Sequence, residues 1–443
     1  LGCEAVLGVG NVADGAALVD RLASVAGTDP RLRSWVDCFR VQVAVLTVPK
    51  GLHDAERLAD DAARRLEELG DSAGVAKARI MRAGALFRLA RVGEGETELD
   101  LALSAARAVD DRRRVTAVLG RAPIAALWGP SPVPRAGGRC LDVVRLLRIT
   151  TGSPAVEATS IRCQAVLEGL RGRYDTARSM LATARSAVEE LGLTHDLLET
   201  EYYAGLVELL ADEPAAAEPL LRRAYDGLGR MGIGADSGQA GAHLARALLL
   251  QDRLDEAEEL VIASEGLAGQ NLQTAIASRS VHAEILSARG RHDEALALAD
   301  EAVATAAGTD ILVDHADAVA AQARVRAAAG DAAGAATAAE AANALYEQKG
   351  ATITVDVGRP ATVGIEVEGP AARPPEVDTG DWGPAYENLA RSHHHMWEGK
   401  VDDLAAMLAE DFVWEDRRTG LRHRVVGREE SLRELLAGAG GSC

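Results

Sequence analysis

An all-α array of stacked helical hairpins is the fold class this sequence predicts. Three observations carry that expectation: an apolar fraction made of small aliphatic residues, three ladders of small residues running in step, and turn-forming residues at a fixed offset between them. In 443 residues the set Ala, Val, Ile, Leu, Met, Phe, Trp, Tyr and Cys reaches 48%, while Phe, Trp and Tyr together reach only 3%. Ala and Leu are strong helix formers, whereas sheets draw on β-branched and aromatic residues. A chain this long exceeds what one hydrophobic core serves, so several domains or a repeat array are expected, and the composition favours the array.

The first ladder begins from Tyr174-Asp175-Thr176-Ala177, Leu254-Asp255-Glu256-Ala257 and His292-Asp293-Glu294-Ala295. It runs through Ala177, Ala217, Ala257, Ala295 and Ala335 at spacings of 40, 40, 38 and 40, and extends upstream through Ala136, Gly95 and Ala55. Twelve positions earlier stand Ala165, Gly205, Ala245, Ala283 and Ala323, with Ala83 upstream. Seven positions later stand Ala184, Ala224, Ser264, Ala302 and Ala342, with Ala62 and Ala102 upstream. Seven residues make about two helical turns, so the first and third ladders share one helix face, where small side chains let a neighbouring helix approach. The residue twelve earlier falls on the preceding helix, across a turn marked by Gly172, Gly290, Gly330 or Asp252. Leu181, Leu221 and Val261 extend the apolar stripe, and Asp175, Asp255 and Asp293 are expected as N-caps contributing roughly 1 kcal/mol each. Trp128-Gly129-Pro130-Ser131-Pro132-Val133-Pro134 is expected to form a long loop between helices, since its prolines remove donors and restrict their neighbours.

The ladders resemble the tetratricopeptide repeat, whose small residues fall at the same offsets of twelve and then seven. The period of about 40 exceeds the standard 34, and aliphatics replace most of the motif's aromatic positions. What the resemblance implies is a tetratricopeptide-like superhelical solenoid, right-handed and of about eight helical hairpins, over residues 1–350. A Pro/Gly-rich linker is expected over 351–381, where Thr352–Val357 and Val363–Val367 alternate in a β-favouring way between Gly358, Pro360, Gly369, Pro370, Pro374 and Pro375.

A small incomplete α+β tail is expected over 382–443: helices at Pro384–Glu398 and Asp402–Leu408, strands at Phe412–Glu415 and Arg422–Val426, then a helix through Leu436. Leu404–Asp416 followed by Val426-Gly427-Arg428-Glu429-Glu430 resembles the opening of the SnoaL-like cone fold. That resemblance implies an unfinished pocket, because the later strands of the fold are missing before Cys443. Together with Trp128–Pro134, Tyr346–Gly350 and the Phe412–Leu421 segment, the chain resembles the C-terminal region of actinobacterial signalling proteins that join a class III nucleotidyl cyclase and an AAA-type ATPase to such repeats. Beginning at Leu1, the sequence is expected to start inside a longer polypeptide.

Candidate chemistry is sparse. A net charge of −19 argues against a nucleic-acid surface, which needs clustered Lys and Arg. Cys3, Cys38, Cys140, Cys163 and Cys443 show no C-x-x-C spacing, so no zinc or redox pair is indicated, and reduced thiols in a cytoplasmic protein are expected. No apolar run is long enough to span a membrane. His393-His394-His395 sit about 100° apart on a helix and do not converge on a metal, with Glu398 the nearest carboxylate. Gly8-Val9-Gly10-Asn11 reads as a helix boundary rather than a dinucleotide loop, and Asp411, Glu415 and Asp416 as a solvated turn beside Arg417 and Arg418. No phosphate-binding loop, H-E-x-x-H or G-x-S-x-G occurs. The sequence therefore assigns no catalytic, cofactor-binding or metal-ligating residue and implies no cofactor. The function expected is a non-enzymatic scaffold for a protein or peptide partner or for adjacent domains; its acidic surface either keeps an elongated array soluble and monomeric or lets the concave face steer a basic peptide or domain. The alternatives are a SnoaL-like enzyme or ligand-binding domain, and the sensory half of a LuxR-type ATPase regulator.

Overall fold

The computed structural model describes residues 2–8, 10–47, 50–150, 152–355 and two strands, 413–416 and 423–426. Among the described residues the chain forms eighteen helices and one two-stranded hairpin. A first pair, α1 (Gly2–Gly8) and α2 (Val12–Ala26), precedes the array. The first three hairpins are α3 (Pro30–Leu46) with α4 (Leu52–Glu68), α5 (Ser72–Arg88) with α6 (Val92–Ala108), and α7 (Arg112–Trp128) with α8 (Val133–Thr150). Three more follow: α9 (Pro154–Gly169) with α10 (Tyr174–Glu190), α11 (Thr194–Leu210) with α12 (Pro214–Arg230), and α13 (Gly234–Leu249) with α14 (Leu254–Ala268). The array closes with α15 (Leu272–Ala288) and α16 (His292–Ala307), then α17 (Leu312–Ala328) and α18 (Ala332–Lys349). Eight hairpins repeat, as the ladders predict.

The ladders are the core. Ala165, Ala245, Ala283 and Ala323 on the first helices, and Ala177, Ala217, Ala257, Ala295, Ala184, Ala224, Ser264, Ala302 and Ala342 on the second, are all fully buried. At Gly205 the approach leaves no room for a side chain: a β-carbon there would lie 2.4 Å from Leu221 Cγ of α12. The turn within every hairpin except α7–α8 takes one residue with positive φ, Gly172 at +73° or Asp252 at +59°, for example. That residue lets the next amide reach back to the end of the first helix, as Arg173 N does to Glu168 O at 3.0 Å and Arg253 N to Leu248 O at 3.0 Å.

Two local expectations need correction. Asp175, Asp255 and Asp293 are not N-caps; each is the second residue of its helix, after a cap at Arg173, Arg253 or Arg291. There they favour the positive end of the helix dipole without bonding an amide. Arg253 and Arg291 instead fold onto Glu256 and Glu294 of the first turn, at 2.7 and 2.6 Å. Side-chain caps stand elsewhere: Asp29 accepts from Arg31 N at 2.8 Å, Asp71 from Gly74 N at 2.9 Å, and Asp331 from Gly334 N at 2.9 Å. The Trp128–Pro134 segment is not a long loop either. Helix α8 begins at Val133, because a proline in the first turn of a helix lacks only an amide that would have no helical partner.

A second order of contact joins successive turns of the superhelix. Gly10 packs against Met231, so that a β-carbon there would fall 2.5 Å from Met231 Cε. Gln270 accepts from Leu52 N. Asp310 accepts from Val92 N and Gly93 N at 2.8 and 2.7 Å. Lys349, 0% exposed, donates from Nζ to Leu127 O and Gly129 O, both at 2.6 Å. The starts of α2, α4, α6 and α8 thus each meet a helix end or the loop after it about 220 residues later. Beyond α18, residues 351–355 carry no regular secondary structure and stay on the array: Thr352 N donates to Leu170 O at 2.8 Å, and Ile353 is buried. These residues fall within the expected linker; the rest of it lies outside the described residues.

The chain divides into two compact units, 1–366 and 367–443. In the second unit, strands β1 (Val413–Asp416) and β2 (His423–Val426) pair antiparallel with Val413 opposite Val426 and Asp416 opposite His423. They match the two expected strands to within a residue at each end. The tail helices expected from the sequence lie outside the described residues. No helix among the described residues is long and apolar enough to cross a membrane.

Two outcomes follow from this packing. Ala257→Leu, at a fully buried ladder position, is expected to destabilise the array by about 1–3 kcal/mol, while Ala263→Leu on the exposed face of the same helix leaves the urea midpoint unchanged. Lys349→Met strips the donor from two buried carbonyls and is expected to cost about 1–3 kcal/mol; faster amide exchange across residues 128–132 and 351–355 than in the parent checks that the loss is at the turn-to-turn contact.

Candidate functional site

First helices of consecutive hairpins face the superhelix interior, and positions three and six before the ladder residue point into it. At the sixth position stand Lys77, Thr159, Glu199 and Gln239; at the third stand Ile80, Arg121, Arg162 and Tyr202. All eight line one central cavity of about 630 Å³. Gly84, Gly120, Met81, Phe87, Trp128 and Tyr203 complete much of its apolar wall. Trp128 and Tyr203 are neighbours there, their ring centroids 6.4 Å apart.

Charge inside the cavity reverses that of the chain. Six basic residues, Lys77, Arg88, Arg113, Arg114, Arg121 and Arg162, face four acidic ones, Glu4, Asp196, Glu199 and Asp236. Each acid is taken. Glu4 accepts from Arg113 and Arg114 at 2.9 and 3.2 Å, Asp236 pairs with Arg88, and Arg162 binds both Asp196, at 3.4 Å, and Glu199. The basic interior goes against the reading of a concave face that steers a basic peptide and leaves the acidic residues to the solubility of the array, since the inner face is not separable from the outer one by composition.

His195, Glu199 and Asp236 bring ligating atoms within 4.8 Å of one another, a grouping that could hold a metal ion. Their chemistry points elsewhere. Arg162 and Arg88 already neutralise the two carboxylates, and a dication would sit against two guanidinium groups. Of the sequence candidates, Gly8 ends α1 and Asn11 caps α2, its Oδ1 accepting from Asp14 N at 3.2 Å, so the glycines mark a helix boundary. His393, His394, His395, Glu398 and Asp411 lie outside the described residues. Glu415 lies on β1, within the strand expected at Phe412–Glu415, and Asp416, expected in the turn after it, is the last residue of the same strand.

A smaller cavity of about 140 Å³ lies toward the C-terminal hairpins, against Trp128, Leu206, His243, Arg246, Asp314 and Tyr346. Its charges are matched or quenched. Glu284 bridges Arg246 and Arg324, accepting from Arg324 at 2.8 and 2.9 Å. Burial pushes its carboxyl up, but the Arg246 and Arg324 guanidinium groups outweigh burial and hold it down at about 2. Burial, reinforced by Asp317, raises Asp314 to about 8, and burial, reinforced by Arg246, lowers His243 to about 4. Both are therefore mostly uncharged at neutral pH. Tyr346 donates to Asp317.

The sign for Glu284 is that of a depressed acid: its contribution is complete above the unfolded value near 4.3 and disappears as pH falls toward about 2. Glu284→Gln is expected to lower stability at pH 7 by about 3–5 kcal/mol, because two buried arginines lose their shared counter-charge. Urea midpoints of parent and variant should converge as pH falls from 4.5 to the acid limit; a gap that persists at low pH would mean the carboxylate is not the stabilising group.

No protein-family profile matches the chain, and no curated protein sequence matches it. Solved structures do. A Rap protein complexed with competence and sporulation factor superposes with a TM-score of 0.60 at 11% identity, over 79% of this chain and 96% of that one. Aspartyl phosphate phosphatase F from Bacillus subtilis gives 0.48 at 12% identity, over 79% and 94%, and yeast Tom70 gives 0.25 at 13%, over 99% and 94%. At 11% identity the likeness to the Rap protein shows the fold alone: this chain is a tetratricopeptide-like helical solenoid.

Proposed function

We propose that the chain is a non-catalytic interaction scaffold whose superhelical interior holds a peptide or an extended segment of a protein partner. The central cavity carries this reading. At about 630 Å³ it lies within the roughly 300–1,000 Å³ of ligand sites, and its walls repeat the same two helix positions along the array, as an extended chain would use them. Polar groups of both signs stand among Trp128, Tyr202 and Tyr203, a mixture suited to backbone and side chains together.

A nucleophilic role finds no support in the thiols. Cys38 and Cys140 are buried, and burial pushes both up to about 12, so neither is a thiolate at neutral pH. Under the same proposal the scaffold works in the cytoplasm, with neither nucleic acid nor membrane as its partner, and regulates adjacent domains of a larger cyclase/ATPase-type signalling protein. The segments Trp128–Pro134, Tyr346–Gly350 and Phe412–Leu421 support that context by resemblance.

Gly84 and Gly120 supply the test, since both line the cavity in mid-helix and a β-carbon at either meets its nearest neighbour at an ordinary 3.6 or 3.5 Å. Gly84→Leu and Gly120→Leu are expected to keep or raise stability by about 0.5–1 kcal/mol through helix propensity while filling the interior. Anisotropy of a labelled random octapeptide pool should show saturable binding to the parent and none to the filled variants. Equal binding by parent and filled chains would place the partner surface outside the cavity.

A further inference from the structure

The basic residues of the central cavity outnumber its acids by two, and the pairing pattern shows which two are left over. Arg88, Arg113, Arg114 and Arg162 consume all four carboxylates. Lys77 and Arg121 remain. Lys77, 7% exposed, donates to the neutral Gln42 Oε1 at 2.7 Å and lies 5.0 Å above the Phe39 ring. Arg121, also only partly exposed, donates to Ala117 O of its own helix at 3.3 Å and has no carboxylate within ion-pair distance among the described residues.

The two cations share one region. Arg121 and Arg114 both act on Lys77 as like charges, and the acid acting on it, Glu4, is already held by Arg113 and Arg114. The acid acting on Arg121 is Glu199, already held by Arg162. Burial lowers Lys77 to about 8 and lowers Arg121 as well. A buried charge without a partner is costly unless something pairs with it. Here the cost is borne twice, in one cavity, by a chain whose net charge is −19.

We propose that Lys77 and Arg121 form a carboxylate anchor, and that the ligand of the interior is an acidic peptide. The proposal rests on the peptide-holding reading above and names its ligand class. An inorganic anion would satisfy the two charges but not the space, because about 630 Å³ is walled by Ile80, Met81, Phe87 and Trp128 as well. A peptide supplies both an apolar body and a carboxylate. Arg121 offers a planar fork matched to a carboxylate, and Lys77 a point charge fixed over Phe39. The carboxylate can come from an acidic side chain or from the peptide C-terminus, and the chemistry recognised is the same.

The test uses the full chain and four hexapeptide pools that combine Glu or Gln at fixed positions with a free or amidated C-terminus. Pools carrying at least one carboxylate are expected to bind about tenfold tighter than the Gln-amide pool, and the Glu-amide and Gln-acid pools identify the source. Arg121→Gln and Lys77→Met should each bring the acidic pools to the level of the neutral one. A separate readout needs no ligand: Arg121→Met, which removes an unpaired cation, should melt above the parent. Equal binding of all four pools to the parent would overturn the anchor and leave the peptide scaffold standing; no binding by any pool would overturn both. Melting of Arg121→Met below the parent would make Arg121 a structural residue and end its part in the anchor.

Discussion

In a repeat array each unit touches its neighbours, and the small rotation between units sets the curvature. This solenoid adds contacts between turns, and they fix that rotation. Gly10 against Met231, Leu52 against Gln270, Val92 against Asp310 and Gly129 against Lys349 are separated by 221, 218, 218 and 220 residues. With a period of about 40, this spacing is about five and a half hairpins. The half unit explains why the start of a second helix meets the loop before a first helix, rather than its own equivalent. A small error in rotation per hairpin, compounded over five, would carry every one of these partners past the other. The ladders must therefore hold their volume at each step, and Ser264 or Gly205 in place of alanine is as far as they depart in the central units.

Small residues at the hairpin seams have a second consequence. A stripe of alanines lets first helices lie so close to their partners that large side chains have no room at the seam. They go to the inner face, where Arg121, Arg162 and Tyr202 stand at one repeated position and Lys77, Thr159 and Glu199 at another. Packing and site are thus set by one periodicity, read at different offsets. Contacts spanning about 220 residues also add a few non-local pairings that a simple stack lacks. Such contacts close late, after the hairpins between them have formed.

Much of the fold was legible because burial of small residues leaves a periodic mark: hairpin number, turn positions and the buried Ala177, Ala217, Ala257, Ala295 and Ala335 all follow from it. The caps were misread because Asp175, Asp255 and Asp293 favour a helix start at the cap and at the second residue alike, through different interactions. The Trp128–Pro134 loop was overestimated because prolines exclude a helix interior but suit its first turn. The site was missed for a different reason. Lys77, Arg121 and Glu199 look like the charged residues of any solvated helix face, and only their offset from the ladder, three or six residues before it, marks them as interior. Partners such as Arg88 with Asp236, 148 residues apart, have no local signature at all.

The opposite signs of surface and interior set a physical tension. An overall charge of −19 surrounds the array with a field that disfavours the approach of anions, and at physiological salt that field fades beyond about 8 Å. Interior cations are screened far less, since the cavity is walled by protein rather than electrolyte. A carboxylate therefore meets weak repulsion outside and strong attraction inside, and gains most only after it has shed water and entered. Nonspecific anions that stay at the surface gain nothing from Lys77 or Arg121. Selection thus falls on ligands whose apolar part can occupy the space along Met81, Phe87 and Trp128 while their charge reaches the end of it. The same walls that make the two unpaired cations costly in the empty chain are what make their pairing selective.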